Sequence, residues 1–417
     1  MKYETELLRE ADPELLQCIE GEMNRQRNSL EMIASESMQP REVLALSGGV
    51  FNNKTALGHS GKQRFCGSQF VDQLETLANR RACEIFGADY ANMSTYSGTV
   101  SNFCVYSAVM SPGDTVLAMD PSTGSHSSHG DKRNFSSKMY RFHFFGLEKE
   151  TLKIDYQAAE EMAKRLQPKA IVIGSAAYPR RINFERMAEI AHKNNAVLIA
   201  DIAHFTGLAA AGVSPNPFPH ADIVTASTTK TMCGPHSGFV MCKRNFAEAM
   251  ERYIYPGYVS SLHVQTIAAM AYTLKRAQTE EFHTLMRSVV ENASKLSEEL
   301  IKRGFEVFTG GTDCHMLLAG LHPFGIGGRA FADLLEELGI TVNDKSIPFD
   351  PSPVSMGIRM GTTVLTQRGM GEKEMSQIAE IIFRAAKAKE NNEEQKLLRE
   401  KVKRLTEQFP IPEEYLL

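Results

Sequence analysis

Five short runs of β-branched and apolar residues recur along the first two thirds of the chain: Thr115–Met119, Ala170–Gly174, Ala196–Ala200, Ile223–Ala226 and Gly238–Cys242. Helical patterns separate several of them, such as Phe184–Lys193. Ahead of them, Val71, Leu74, Ala78, Ala82 and Ile85 recur at helical spacing up to Gly87, which supplies a stop. Strands alternating with helices argue for a mainly parallel α/β sheet.

After about residue 276 the pattern changes. A long helical stretch runs from Glu280 to Arg303 and stops at Gly304. A strand-like Met316–Ala319 follows, then a helix marked by Phe331, Leu334, Leu335 and Leu338 and closed by Gly339. Leu398, Val402, Leu405 and Phe409 mark a last helix. At 417 residues the chain exceeds what one core serves, so two domains are expected. The division reads as an N-terminal helix and arm (1–40), a large domain (41–276) and a small C-terminal domain (277–417).

Charge excludes some partners. Lysine and arginine number 46 against 50 acidic residues, net −4, which gives no footprint for nucleic acid or a lipid surface. No apolar run reaches the roughly 18 residues of a membrane span, and the charged start Met1–Glu10 has no apolar h-region. The cysteines are seven, scattered, with no C-x-x-C pair. Free thiols in a reducing cytoplasm are expected, with no structural metal.

Four features carry chemistry. Ser97-Gly98-Thr99 precedes the helical run Val100–Met110, where free backbone N–H groups would cradle a phosphate; the same residues also make an ordinary N-cap. The run Ala196–Ala200 delivers Asp201 at its end, with His204 close behind. That carboxylate suits a cofactor ring nitrogen or a helix cap. The run Ile223–Ala226 feeds Ser227 and a hydroxyl-rich turn ending at Lys230, a lysine able to form a Schiff base if held in a dry pocket and otherwise a surface residue. Arg359 in Gly357-Ile-Arg-Met-Gly361 is a carboxylate fork or an ion-pair arginine. Cradle, strand-end Asp, strand-end Lys and late Arg together match the aspartate-aminotransferase-like class of pyridoxal phosphate enzymes.

More closely, the chain resembles the serine hydroxymethyltransferase family over almost its whole length. Matching segments include Met32-Ile-Ala-Ser-Glu-Ser37, Phe86-Gly-Ala-Asp-Tyr-Ala-Asn92, Ser111-Pro-Gly-Asp-Thr-Val116, His126 with His129-Gly130, Gly310-Gly-Thr-Asp313 and Gly357-Ile-Arg359. The resemblance implies fold type I: a mainly parallel seven-stranded sheet in a large domain and a smaller α+β domain. It implies pyridoxal phosphate bonded to Lys230, Asp201 paired with the pyridinium nitrogen, His126 stacked on the ring and His204 near its phenolic oxygen. It also implies a phosphate cradle of Ser97, Gly98 and Thr99 with Ser227 nearby, completed by Ser260 and Ser261 of a partner subunit in a homodimer or tetramer. Ser35 and Arg359 would bind a small amino-acid substrate, and Glu36 would move a proton on its hydroxyl.

Departures from the family pattern concentrate in one region. The family reads Asn-Lys-Tyr-Ala-Glu-Gly-Tyr-Pro-Gly-Lys-Arg-Tyr-Tyr-Gly-Gly where this chain reads Asn53-Lys-Thr-Ala-Leu-Gly-His-Ser-Gly-Lys-Gln-Arg-Phe-Cys-Gly67. Thr55, Leu57, Arg64 and Phe65 thus replace residues that line the substrate and folate sites, and Phe349 replaces a folate-contacting asparagine. Thr229 and His236 replace a histidine and an arginine on the cofactor side. Random drift would scatter such changes. Their clustering around retained Lys230, Asp201, His126, Glu36 and Arg359 points to aldol-type Cα–Cβ chemistry without tetrahydrofolate, with an aldehyde or anionic co-substrate. The alternatives are a folate-using member with a modified pocket, other Cα chemistry (racemase, lyase, decarboxylase) or an idle scaffold.

Overall fold

The computed structural model describes residues 2–388 and 391–416. The chain divides into two compact units, Glu42–Arg287 and the segment up to Arg41 joined with Ser288 onward. The division falls within the long helix Glu280–Lys302.

The first unit is built on a seven-stranded sheet: β1 (Tyr90–Asn92), β2 (Thr115–Met119), β3 (Arg141–Phe145), β4 (Ala170–Gly174), β5 (Val197–Asp201), β6 (Ile223–Ser227) and β7 (Gly238–Cys242), in the order β1-β7-β6-β5-β4-β2-β3. β3, β2, β4, β5 and β6 pair in parallel, while β7 runs antiparallel to both neighbours. Every residue of β4, β6 and β7 is buried, as expected of strands covered on both faces. Three of the apolar runs coincide with β2, β4 and β7, and the other two fall on β5 and β6 with ends shifted by a residue. β5 extends through Asp201 and β6 through Ser227, which brings two polar side chains to carboxyl ends in the centre of the sheet. The edge strands β1 and β3 lie outside the apolar runs. β3 (Arg-Phe-His-Phe-Phe) keeps an exposed or half-buried side for most of its length, so it lacks a continuous apolar signal.

Of the apolar stripe predicted for it, helix Gln69–Phe86 buries Val71, Ala78 and Ala82 and half-buries Leu74 and Ile85, and it ends at the left-handed Gly87. Helix Gly98–Val109 starts two residues before the predicted run. Ser97 is its N-cap, accepting from Val100 N–H at 3.2 Å, so Gly98 and Thr99 occupy the open first turn.

The second unit carries a four-stranded antiparallel sheet, in the order Asn343–Asp344, Gly357–Gly361, Met316–Gly320, Glu306–Val307. Its core packs Leu317, Ile358 and Met360 with Phe331 and Leu335 of helix Gly328–Glu337 and with Ile378 and Ile382 of helix Glu372–Lys387. The N-terminal segment joins through Leu30–Glu31, paired in parallel with Ile340–Thr341. Arg368, 3% exposed, ties the chain ends together, donating to the carbonyls of Ser29 (2.8 Å), Arg27 (3.2 Å), Thr406 (3.0 Å) and Phe409 (2.6 Å). Among the described residues no helix is long and apolar enough to cross a membrane.

Candidate active site

The carboxyl ends of β4, β5 and β6 open into a cavity of about 220 Å³, the place where open α/β sheets bind ligands. Ser97, Gly98 and Thr99 line one side; Asp201, His204 and His126 line another; Ser227, Thr229 and Lys230 a third. Residues up to 141 positions apart in sequence, from Tyr96 to Ser237, are thus gathered around one volume.

On the cradle side, strand β7 starts hard against the N-terminus of helix Gly98–Val109. A Cβ on Gly238 would lie 2.4 Å from the carbonyl carbon of Ser97 and 2.6 Å from Gly98 N. Only glycine lets the two backbones approach so closely. Ser237 Oγ donates to Thr95 O at 2.9 Å and fixes the same junction. The first turn of a twelve-residue helix therefore faces the cavity with donors free of intrahelical partners.

Asp201 is fully enclosed in a polar network. Its Oδ1 accepts from Ala203 N–H at 2.9 Å and its Oδ2 from Asn102 Nδ2 at 2.9 Å; His129 Nε2 lies 3.2 Å from Oδ2. Thr225 Oγ1 donates to Asn102 Oδ1 at 2.7 Å, which leaves the Asn102 amide facing the carboxylate. Tyr106 OH lies 2.6 Å from His129 Nδ1, so a phenol donating there leaves the Nε2 proton toward Asp201. Burial pushes the Asp201 carboxyl up, but His129, the His126 ring and the Asn102 amide more than offset it and hold the carboxyl well below the usual range. It is an anion in a dry site.

Beside it, His126 Nδ1 accepts from Ser128 N–H at 3.2 Å and lies 2.8 Å from Ser128 Oγ, which orients the imidazole. Lys230 sits on a turn closed by Gly234 N–H to Thr228 O (2.8 Å) and Cys233 N–H to Lys230 O (3.1 Å). Thr231 Oγ1 donates to His204 O at 3.0 Å and accepts from Gly207 N–H at 3.0 Å, tying the lysine turn to the segment after β5. Ser227 Oγ donates to Ser237 O at 3.1 Å. His236 also lines the cavity.

These residues fit pyridoxal phosphate. Open N–H donors and hydroxyls suit a phosphate, a carboxyl held well below its usual range suits a protonated ring nitrogen, and a primary amine suits an aldehyde. Asn102 and His129 stand in segments that match the family pattern but received no role from the sequence, and Tyr106 and Thr225 received none either. Asn102 and Tyr106 do stand at i, i+4 on one helix, and both are buried.

The remaining predicted residues lie elsewhere. Thr55, Arg64 and Phe65 are exposed on the loop before helix Gln69–Phe86, and Ser260 and Ser261 are also exposed; none of them lines the cavity among the described residues. Ser35, Glu36 and Arg359 belong to the second unit. Glu36 closes a turn, its N–H donating to Ile33 O at 3.0 Å. Although the residue as a whole is exposed, its carboxyl is desolvated, and this, with the adjoining Glu31 carboxyl, pushes it up to about 7. Arg359 lies on strand Gly357–Gly361, its Nε donating to Asn343 Oδ1 at 3.1 Å; burial lowers its pKa. Lys345 is lowered likewise, by burial and then by Arg359.

A family model described as serine hydroxymethyltransferase matches residues 8–382. With that match spanning most of the sequence, the chain belongs to the serine hydroxymethyltransferase family, and is a pyridoxal-phosphate-dependent transferase of fold type I whose family chemistry is at the Cα–Cβ bond.

Proposed function

We propose that this chain makes or breaks the Cα–Cβ bond of a small amino acid without tetrahydrofolate, as an aldolase or transaldolase. One observation carries the reading: the cofactor cavity keeps Lys230, Asp201 and His126 while Thr55, Leu57, Arg64 and Phe65 replace the substrate- and folate-lining residues of the family pattern. Removing a carboxylate leaves a folate amide edge unmet, at about 1–3 kcal/mol for each lost partner.

Bound pyridoxal phosphate supplies an electron sink for charge developing at Cα. Lys230 provides the amine that holds it. Ser97, Gly98 and Thr99 bind the phosphate, and Asp201 keeps a proton on the ring nitrogen. His126 and His204 shape the faces of the site and exclude water. Arg359 binds the substrate carboxylate. Glu36, titrating at about 7, takes and returns the β-hydroxyl proton. His59 and Arg64, both set against Tyr255 at 5.6 Å and 6.0 Å, favour an aldehyde co-substrate bearing an anionic group. Ser260 and Ser261, outside their own chain's cavity, are available to a partner subunit's phosphate in a homodimer.

The test incubates the cofactor-loaded chain with serine, threonine and other β-hydroxy amino acids, with and without tetrahydrofolate, and measures free aldehyde. Release that is indifferent to tetrahydrofolate is expected. Release that requires it overturns the reading. If Glu36→Gln leaves release intact, the proton step passes to His204.

A further inference from the structure

The loop that carries the departures is folded on itself. Arg64 N–H donates to Leu57 O at 2.7 Å and Lys62 N–H to His59 O at 2.8 Å. Gly58 makes this possible at φ +130°, where a Cβ would sit 2.6 Å from Lys62 O. Outward, Leu57 bridges Ser261 in antiparallel fashion, and Leu262 N–H donates to Ala56 O at 3.0 Å. Ser261 O in turn accepts from the Tyr96 hydroxyl at 2.5 Å, and Tyr96 lines the cofactor cavity.

One side chain ties this loop to the interior. Gln63 Oε1 accepts from Leu57 N–H at 3.0 Å, and Gln63 Nε2 donates to Glu75 Oε2 at 2.8 Å. Glu75 is 3% exposed on helix Gln69–Phe86, and its other oxygen receives Ser94 Oγ at 3.4 Å. The contacts therefore run Glu75, Gln63, Leu57, Ser261, Tyr96, cavity.

The surroundings of Glu75 are neutral donors and acidic groups. Asp72 acts on it from the same helix, and the Tyr90 phenol interacts with it from β1. The loop's own Lys62 pairs with Glu251 at 3.7 Å. The packed helix Val264–Arg276 keeps its basic residues, Lys275 and Arg276, in its last turn. Burial raises the Glu75 carboxyl most, Ser94 opposes this, Asp72 adds to it and Gln63 opposes it, leaving the group at about 7. The family pattern places an arginine at position 63. Its fixed charge would hold Glu75 ionised at every working pH, and Gln63 has no charge with which to do so.

We propose that Gln63 is a positioning residue for the co-substrate loop, and that the proton on Glu75 sets how firmly it holds. This rests on the reading that Thr55, Leu57, Arg64 and Phe65 face the co-substrate. When Glu75 is ionised, the Gln63 amide makes a charge-assisted hydrogen bond, roughly twice as strong as a neutral one. Leu57 and Arg64 are then held in register with Ser261. When Glu75 is protonated the bond weakens and the loop loosens.

Hydrogen exchange of the cofactor-loaded full chain at pH 6 and pH 8, corrected for intrinsic exchange, tests this. Peptides covering Leu57 and Arg64 are expected to be about fivefold better protected at pH 8, the factor for a neutral hydrogen bond becoming charge-assisted. Glu75→Gln, which keeps the shape, and Gln63→Arg, which fixes the charge, should each show equal protection at both pH values. Wild-type protection that does not change with pH, or a pH dependence that survives in either variant, overturns the proposal. Should one variant fail to fold, the other decides. Exchange reports on the loop alone and the tetrahydrofolate response of aldehyde release on the reaction alone, so the two readings fail separately.

Discussion

Asn102 Nδ2 stands 2.9 Å from Asp201 Oδ2, joining a helix and a strand end that are 99 residues apart in sequence. Asn102 is itself oriented by Thr225, so the carboxylate meets a donor that cannot turn away. Asn102→Ala leaves Asp201 with a lost hydrogen bond in a dry site, a cost of about 1–3 kcal/mol. Part of that cost falls on cofactor binding, because an ionised Asp201 is what a protonated ring nitrogen requires. Cofactor affinity, measured by absorbance titration, should fall about tenfold. Thr225→Val should produce a smaller loss in the same direction. Unchanged affinity in both variants would remove Asn102 from the account.

Lys230 closes the hydroxyl-rich turn after β6, and its amine is the covalent attachment point in this reading. Borohydride reduction of the loaded wild-type chain should therefore fix cofactor mass on the peptide containing Lys230. Lys230→Ala should fix none, and aldehyde release should fall by about 10³-fold or more. Cofactor mass found on a different lysine would shift the attachment point and with it the orientation of the whole cavity.

What the sequence made visible follows the physics of each element. β4, β6 and β7 are buried on both faces, so their composition alone marks them as strands. Asp201 and Lys230 stand out only together with the cradle and the late arginine, because alone each has an ordinary structural use as a helix cap or a surface lysine. β3 was hidden because an edge strand keeps one side in water, which breaks the apolar run. The partners of Asp201 were hidden for another reason. Asn102, His129 and Thr225 acquire their roles only when a helix, a loop and a neighbouring strand converge, and no spacing along the chain encodes that meeting. The ties of Gln63 are equally tertiary: it stands as one substitution among several, while its link to Glu75 depends on a loop folding over a helix.

Arg359 is held by Asn343 on one of the two inner strands of a four-stranded sheet. A bidentate contact with a substrate carboxylate depends on the planar geometry of the guanidinium, which lysine lacks. Arg359→Lys keeps the charge and should raise KM for the amino acid about tenfold or more, with a smaller change in kcat. A fall in kcat at constant KM would place Arg359 in the bond-breaking step instead.

Glu36 and Glu75 are each pushed from the ordinary 4.5 up to about 7, the first cause in both being burial of the carboxyl. Between these values the folded chain keeps protons that the unfolded chain has released. Stability therefore falls as pH rises from about 4.5 to about 7 and levels off above. Glu75→Gln keeps the hydrogen-bonding shape of the carboxyl and removes its share of this slope. At pH 8 it should stabilise the fold by up to about 3 kcal/mol, the free energy of moving a proton affinity from 4.5 to about 7. Melting of the loaded chain should rise by a few degrees at pH 8 and match wild type near pH 4.5. A lower melting temperature at pH 8 would mean that the ionised Glu75 holds the loop more strongly than its burial costs.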